Sequence, residues 1–179
     1  MAQRRGKVYP SFAGVPGCPM IPEDQYARII EALPILCVDI LIKNPKGEYL
    51  LIKRARKPLM GEWWVIGGRV LKGETLENAA IRKIKEETGL TVGKVQLVGY
   101  YEDVSEANRF DFAVPLHSVS VVFLAVSDSR EQVVLDYQSS DWKCCADLPE
   151  RFRAKLVRAT TLLPPDSILR SSTEGIPLP

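Results

Sequence analysis

The stretch GGRVLKGETLENAAIRKIKEETGL, residues 67–90, gathers an arginine and paired glutamates behind a Gly-Gly turn. On a helix over 76–88, at about 100° per residue, Leu76, Ala80, Ile81 and Ile84 share one arc that would face a sheet. Arg82, Lys83, Glu86 and Glu87 occupy the neighbouring arc, so Arg82–Glu86 and Lys83–Glu87 are i,i+4 pairs. Ala79 lies between the rows and is expected to leave space above the helix. Glu86, Glu87 and the free carbonyl of a glycine turn are the hard oxygen donors that Mg²⁺ prefers. A diphosphate brought by such an ion would be held by a fixed guanidinium. Lys83 stands among these donors and repels a cation. Taken alone, the same residues also suit a solvated helix face with ordinary ion pairs.

The elements that must position this helix are legible on either side of it. Thr75 is an N-cap and Gly89 suits the position after the last turn. EDQYARIIEAL (23–33) has apolar residues at helical spacing, and Pro34 ends it. ILCVDILI (35–42) and EYLLIKR (48–54), with the turn NPKG between them, predict a hairpin. A short strand spans Trp63–Ile66, where the two tryptophans point to opposite faces, one to the core and the other toward a pocket. Strands are expected at 92–102 and in HSVSVVFLAV (117–126), and DVSEANRFDFAVP between them reads as a substrate-facing loop. QSSDWKCCADL holds a last strand and PERFRAKLVRA (149–159) a closing helix. Strands and helices in this mixture predict an α/β sandwich.

With 179 residues, 46% of them hydrophobic, the chain can bury one core. Its +2 charge comes from 24 basic and 22 acidic side chains spread along the sequence, a balance that excludes nucleic acid as the expected partner. No apolar run approaches a membrane span of about 20 residues. The start of the chain lacks the apolar region of a secretory signal. Cys18, Cys37, Cys144 and Cys145 show no C-x-x-C spacing, and a single histidine argues against structural zinc, so a reduced, cytoplasmic protein is expected. The predicted organisation is an irregular arm over 1–21, one domain over 22–160 and a Pro/Ser-rich tail over 161–179.

The spacing of Gly68, Glu74, Arg82, Ile84, Glu86, Glu87, Gly89 and Leu90 resembles the Nudix box, G-x5-E-x7-R-E-U-x-E-E-x-G-U with U aliphatic. Every defined position matches except the glutamate after the arginine, which is Lys83 here. The resemblance implies an α/β/α sandwich with a mixed sheet. It also implies hydrolysis of a nucleoside diphosphate linked to another group, with Mg²⁺ or Mn²⁺. Gly67, Glu86 and Glu87 would hold the metal, Arg82 would orient a catalytic glutamate, and a homodimer would form through the N-terminal helix and first strand.

The EDQYARII helix, the strand with Asp39, GEYLLIKR followed by KP-x-x-GEWW, and GGRV-x-KGETLE are similar to the GDP-mannose mannosyl hydrolases, Nudix proteins that lack the same glutamate and cleave the sugar C–O bond. That resemblance places Asp39 near the guanine or ribose and implies that Arg54 and Arg69 grip the diphosphate. Glu87 and Gly67 would hold Mg²⁺, with help from Gln138. Less base strength is needed when two arginines and a metal neutralise the departing GDP. The general base of the subgroup, a histidine after the glutamine, is replaced by Ser139, and a second histidine of the subgroup falls near Asp103. His117 starts a strand, where a packing role is the ordinary one. Glu102, Asp103, Glu106, Asp111 and Asp141 are left as substitute bases. Tyr100, Tyr101 and Phe110 are stacking candidates for which core packing is the plainer role. Cleavage of a P–O bond in an NDP-sugar, ADP-ribose or nucleoside triphosphate is one alternative, and a nucleotide sensor without turnover is another.

Overall fold

The structure, a computed structural model, describes residues 21–56, 59–105, 115–127, 132–158 and 160–161. Most of the arm and tail, and with them Cys18, Glu106, Phe110 and Asp111, lie outside the described residues.

Among the described residues, three helices and eight strands follow in the order α1 (Glu23–Ala32), β1 (Ile35–Lys43), β2 (Tyr49–Arg54), β3 (Trp63–Trp64), β4 (Ile66–Arg69), α2 (Leu76–Thr88), β5 (Gln96–Ser105), β6 (Leu116–Val126), β7 (Ser139–Cys145), α3 (Glu150–Arg158) and β8 (Thr160–Thr161). β1 runs parallel to β6 from Ile35↔Ser118 to Lys43↔Val126, and the other pairings are antiparallel, so the sheet is mixed. Its order is β3-β2-β1-β6-β5-β8, with β4 on β1 and β7 on β2.

Strand alternation sorts the core into two layers. Val38, Ile40 and Ile42 of β1 join Ile52, Ile66, Phe123 and the Ala79–Ala80–Ile84 surface of α2. Leu41, on the other face of β1, joins Leu51, Trp64, Val98, Val122 and the Phe152 and Leu156 side chains of α3. Helices therefore cover both faces of the sheet, the expected α/β/α sandwich.

The predicted hairpin is only partly formed. Asn44 builds its turn, its Oδ1 accepting from the Lys46 and Glu48 amides at 2.9 and 3.0 Å, and Gly47 sits at φ 80°. Beyond the single pair Lys43↔Tyr49, however, β2 leaves β1 for β3 and β7. The vacated flank of β1 goes to β4, from Cys37↔Arg69 to Ile40↔Ile66. The expected strand over Trp63–Ile66 is thus two strands separated by Val65. β5 begins at Gln96 rather than 92 and runs to Ser105, taking in the start of the expected loop. Trp64 is both buried in the core and part of a cleft lining, whereas Trp63, partly buried with Lys143 Nζ 4.3 Å from its ring centroid, is not in that lining, so the expected division between the two tryptophans does not hold.

Phe152 has no exposed surface and meets Trp64 and Tyr101 edge-on, at centroid distances of 5.4 and 6.1 Å. Phe152→Ala should therefore cost about 3–5 kcal/mol, read as a lower urea midpoint with an unchanged slope.

Candidate active site

Where β4 crosses the middle of β1, an open cleft of about 240 Å³ lies between α1, α2 and α3. Arg54, Arg69, Arg82, Lys83, Arg151 and Lys155 line it, against two acidic side chains, Asp39 and Asp103. A cleft with this excess of cations suits a multiply charged anion.

The framework on one side is Arg82. Its Nε donates to Glu74 Oε2 at 2.9 Å and its Nη2 to Glu74 Oε1 at 2.6 Å, a two-pronged pair. The same guanidinium donates to Glu86 Oε2 at 3.1 Å and to the Arg69 carbonyl at 3.1 Å. Glu74 Oε1 also accepts from the Leu71 amide at 2.6 Å. Arg82 thereby ties α2 to the end of β4 and to the loop between them. Thr75 Oγ1 caps the helix on the Asn78 amide, and Gly89 closes it at φ 72°. Burial works against the Glu74 charge, but its hydrogen bonds to Arg82 and Leu71 hold the carboxyl below its ordinary value.

Lys83 forms part of the floor, with Glu87 behind it. Lys83 Nζ lies 2.6 Å from Glu87 Oε1 and 3.3 Å from Glu86 Oε2. The Glu87 side chain is 1% exposed, and its second oxygen, Oε2, has no hydrogen-bond partner. Burial works against both charges: it would lower the Lys83 ammonium, which Glu87 and Glu86 instead hold above its usual range, and it pushes the Glu87 carboxyl up, a shift that Lys83 and Arg54 oppose. The helix wheel assigned Lys83 and Glu87 to an arc beside the sheet-facing one, with open space above Ala79. The structure corrects this: Ala79, Lys83 and Glu87 are all buried, while Leu76 and Ile81 are only partly so. The reason is the Gly pair of β4. A Cβ on Gly68 would stand 2.8 Å from Lys83 Cε, and one on Gly67 would stand 2.2 Å from Asp39 Oδ1 and 2.6 Å from the Val38 carbonyl. Strand and helix approach closely because nothing projects from the strand.

The opposite wall carries Asp39, which is buried and accepts from the Tyr101 hydroxyl, with Ser120 as a second partner. Burial pushes its carboxyl above the usual range, and Tyr101, Ser120, Lys155 and Arg54 oppose that shift. Lys155 Nζ reaches Asp103 Oδ1 at 2.7 Å and lies over the rings of Trp64 and Tyr101. The Arg69 guanidinium lies 4.4 Å from the Tyr26 ring centroid, so α1 reaches the cleft as well. Gln138 is buried and braced by Asp136, which accepts from its side-chain and backbone nitrogens at 2.9 Å each.

Of the residues singled out from the sequence, Asp39, Arg54, Gly67, Arg69, Arg82 and Gln138 all line this cleft. Glu86 and Glu87 stand behind it on α2, joined to its wall through Lys83 and Arg82. Arg54 Nε is buried without a hydrogen-bond partner. Among the substitute bases, Asp103 lines the cleft. Glu102 lies in a neighbouring depression with Tyr100, and Asp141 is exposed on β7 opposite Lys53. His117 and Ser139 are not part of the lining. The sequence reasoning missed Tyr26, Ser120, Arg151 and Lys155, and gave Tyr101 to stacking or packing where it also serves Asp39. The signal for α3 was present: Arg151 and Lys155 are i,i+4 on a helix whose Phe152 and Leu156 face the core.

Residues 33–160 match the NUDIX domain family. The chain is 32% identical over 123 residues to the low-salt glycan biosynthesis protein Agl8 of Haloferax volcanii, covering 69% of this chain and 78% of that protein. It is 38% identical over 91 residues to an ADP-ribose pyrophosphatase of Methanocaldococcus jannaschii, covering 51% of this chain and half the length of that relative. The MutT NUDIX hydrolase structure from Burkholderia pseudomallei superposes with a TM-score of 0.58 at 26% identity, covering 70% of this chain and 97% of that one. No helix among the described residues is long and apolar enough to cross a membrane.

Proteins of this kind generally work with a divalent metal ion. Glu87 Oε2, buried and unpartnered, is the kind of oxygen such an ion seeks. The carboxylates around it do not fit a resident ion. Glu87 Oε1 is taken by Lys83, Glu86 is shared between Arg82 and Lys83, and Lys83 stands where the box has its third carboxylate. No group of three or more His, Cys, Asp or Glu side chains converges on a common point among the described residues.

Because Glu74 titrates below its ordinary 4.5 in the folded protein, its contribution is present above that pH and fades as pH falls through the lower folded value. Glu74→Gln should therefore destabilise by about 1–3 kcal/mol at neutral pH. In urea titrations the gap to wild type should narrow as pH drops below 4.5. Gly67→Ala, which drives a methyl into Asp39 and the β1 backbone, should cost about 1–3 kcal/mol at any pH in the same titrations.

Proposed function

We propose a function from one premise: the chain belongs to the Nudix family. It is a hydrolase of nucleoside-diphosphate derivatives, and within that class it acts on a nucleotide-sugar, GDP-mannose, to release GDP and mannose. The observation that carries this is the convergence of Arg54 and Arg69 with Lys83 and Arg82 in one cleft, beside the buried Asp39. Arg54 and Arg69 hold the diphosphate and neutralise the charge that grows on GDP as it departs. Asp39, braced by Tyr101 and Ser120, faces the nucleoside. Gln138, fixed by Asp136, positions the substrate beside the phosphates.

Water attacks the anomeric carbon, whose bond to the phosphate oxygen breaks as that oxygen leaves with the electron pair. Asp103 takes the water's proton and returns it to solvent. Mg²⁺ or Mn²⁺ enters this scheme only as the counter-ion a diphosphate carries in solution. The glycan-biosynthesis relative supports a sugar-nucleotide substrate. A second function, P–O cleavage, is favoured by the retained Glu86 and Glu87 and by the relative named an ADP-ribose pyrophosphatase. Exposed Ile21, Leu33 and Leu36 around α1 and the start of β1 support a homodimer through that surface, and the free cysteines Cys37, Cys144 and Cys145 support a cytoplasmic setting.

GDP-mannose incubated with the protein and Mg²⁺ in ¹⁸O-labelled water should yield unlabelled GDP and labelled mannose by mass spectrometry. GMP and mannose 1-phosphate would instead establish P–O cleavage, and binding without turnover would establish a sensor. Arg69→Ala should lower kcat/KM by about a hundredfold or more, with the thermal midpoint nearly unchanged.

A further inference from the structure

Lys83 is buried beside two carboxylates that the family generally gives to a metal, and this placement is built rather than accidental. Its stem passes over Gly68, where any Cβ would stand 2.8 Å from Lys83 Cε. Its ammonium is 2.6 Å from a glutamate that is 1% exposed. Nor is its charge surplus. Glu74, Glu86 and Glu87 are three negative charges, and Arg82 and Lys83 are the two positive charges paired with them. Through space Arg54 adds a third positive charge near Glu87 and Asp136 a fourth negative one, so the positive charges do not exceed the negative. A buried carboxylate without a cation is strongly unfavourable, and Lys83 already supplies that cation.

We propose that Lys83 is the resident cation of this site: in the substrate-free protein it takes the place of the divalent ion on Glu86 and Glu87, and it donates directly to the diphosphate of the substrate. An ammonium carries three donors. Glu87 and Glu86 accept two, and the third is available on the side where Lys83 lines the cleft with Arg54 and Arg69. A divalent ion shared by Glu86 and Glu87 would stand against an ammonium already at ion-pair distance from both. The substrate-free protein therefore holds Mg²⁺ or Mn²⁺ weakly, whereas a diphosphate binds without metal.

This inference rests on the cleft's being the diphosphate site, but two measurements test it without any turnover. In the first, Mn²⁺ is titrated into the substrate-free full chain, and free ion is counted by electron paramagnetic resonance. Wild type should leave the ion free, while Lys83→Glu, which adds a third carboxylate, should bind one ion at least about tenfold more tightly. Equal affinity in the two proteins overturns the proposal. If Lys83→Glu does not fold, Lys83→Met, which keeps the apolar stem and frees both glutamates, replaces it with the same expectation.

In the second, inorganic pyrophosphate is titrated calorimetrically in EDTA. Wild type should bind, and Lys83→Met should bind about tenfold more weakly or worse. Wild-type binding that requires added Mg²⁺, or that is unchanged in Lys83→Met, overturns the proposal. Failure to hydrolyse GDP-mannose would sink the proposed substrate and leave both results standing.

Discussion

A carboxylate buried without partners is strongly unfavourable, so it must be paired with a cation or held by hydrogen bonds. In this protein that requirement falls on Glu87, and the arrangement around the cleft follows from how it is met. Lys83 meets it from one helical turn away, which holds both side chains on the surface of α2 that presses on β4. The strand beneath must then carry no side chains at that point, and Gly67 and Gly68 provide the gap. With the helix this close, Arg82 can reach the Arg69 carbonyl and Glu74 together, closing the loop between strand and helix into a rigid unit.

The cleft owes its other wall to apolar packing on the far face of the sheet. Phe152 drives α3 into Trp64 and Tyr101, and the same helix carries Lys155 to Asp103 and over both rings. Tyr101 serves twice, with its ring in the core and its hydroxyl on Asp39. Hydrophobic burial and the polar site are therefore coupled through shared side chains. Asp39 is kept buried by residues that also determine where α3 sits.

Charge gives the cleft its chemical bias. Cations line it from β2, β4, α2 and α3, while Asp39 is tied to Tyr101 and, behind the cleft, Glu86 and Glu87 are tied to Arg82 and Lys83. A site of this kind stabilises a multiply charged phosphate anion better than it activates a water. Replacing the third box carboxylate by an ammonium moves the balance further in the same direction.

The local pattern of the sequence determined α2 to the residue, because a Thr cap, an apolar stripe and a terminal glycine are all short-range signals. It also determined the i,i+4 partners of Arg82 and Lys83, which depend only on helical spacing. Arg54, Arg69, Arg82 and Gln138 came from resemblance to known motifs, as did the overall sandwich. Tertiary structure alone decided that β2 leaves β1 after one pair and that β4 replaces it, since competition among strands for one edge depends on the whole sheet. It alone buried Lys83 and Glu87, because a helical wheel carries no knowledge of what the helix meets, and here it meets two glycines. It alone brought Tyr26, Ser120, Arg151 and Lys155 to the cleft, for these residues lie far apart in the chain and are joined only where α1, β6 and α3 converge.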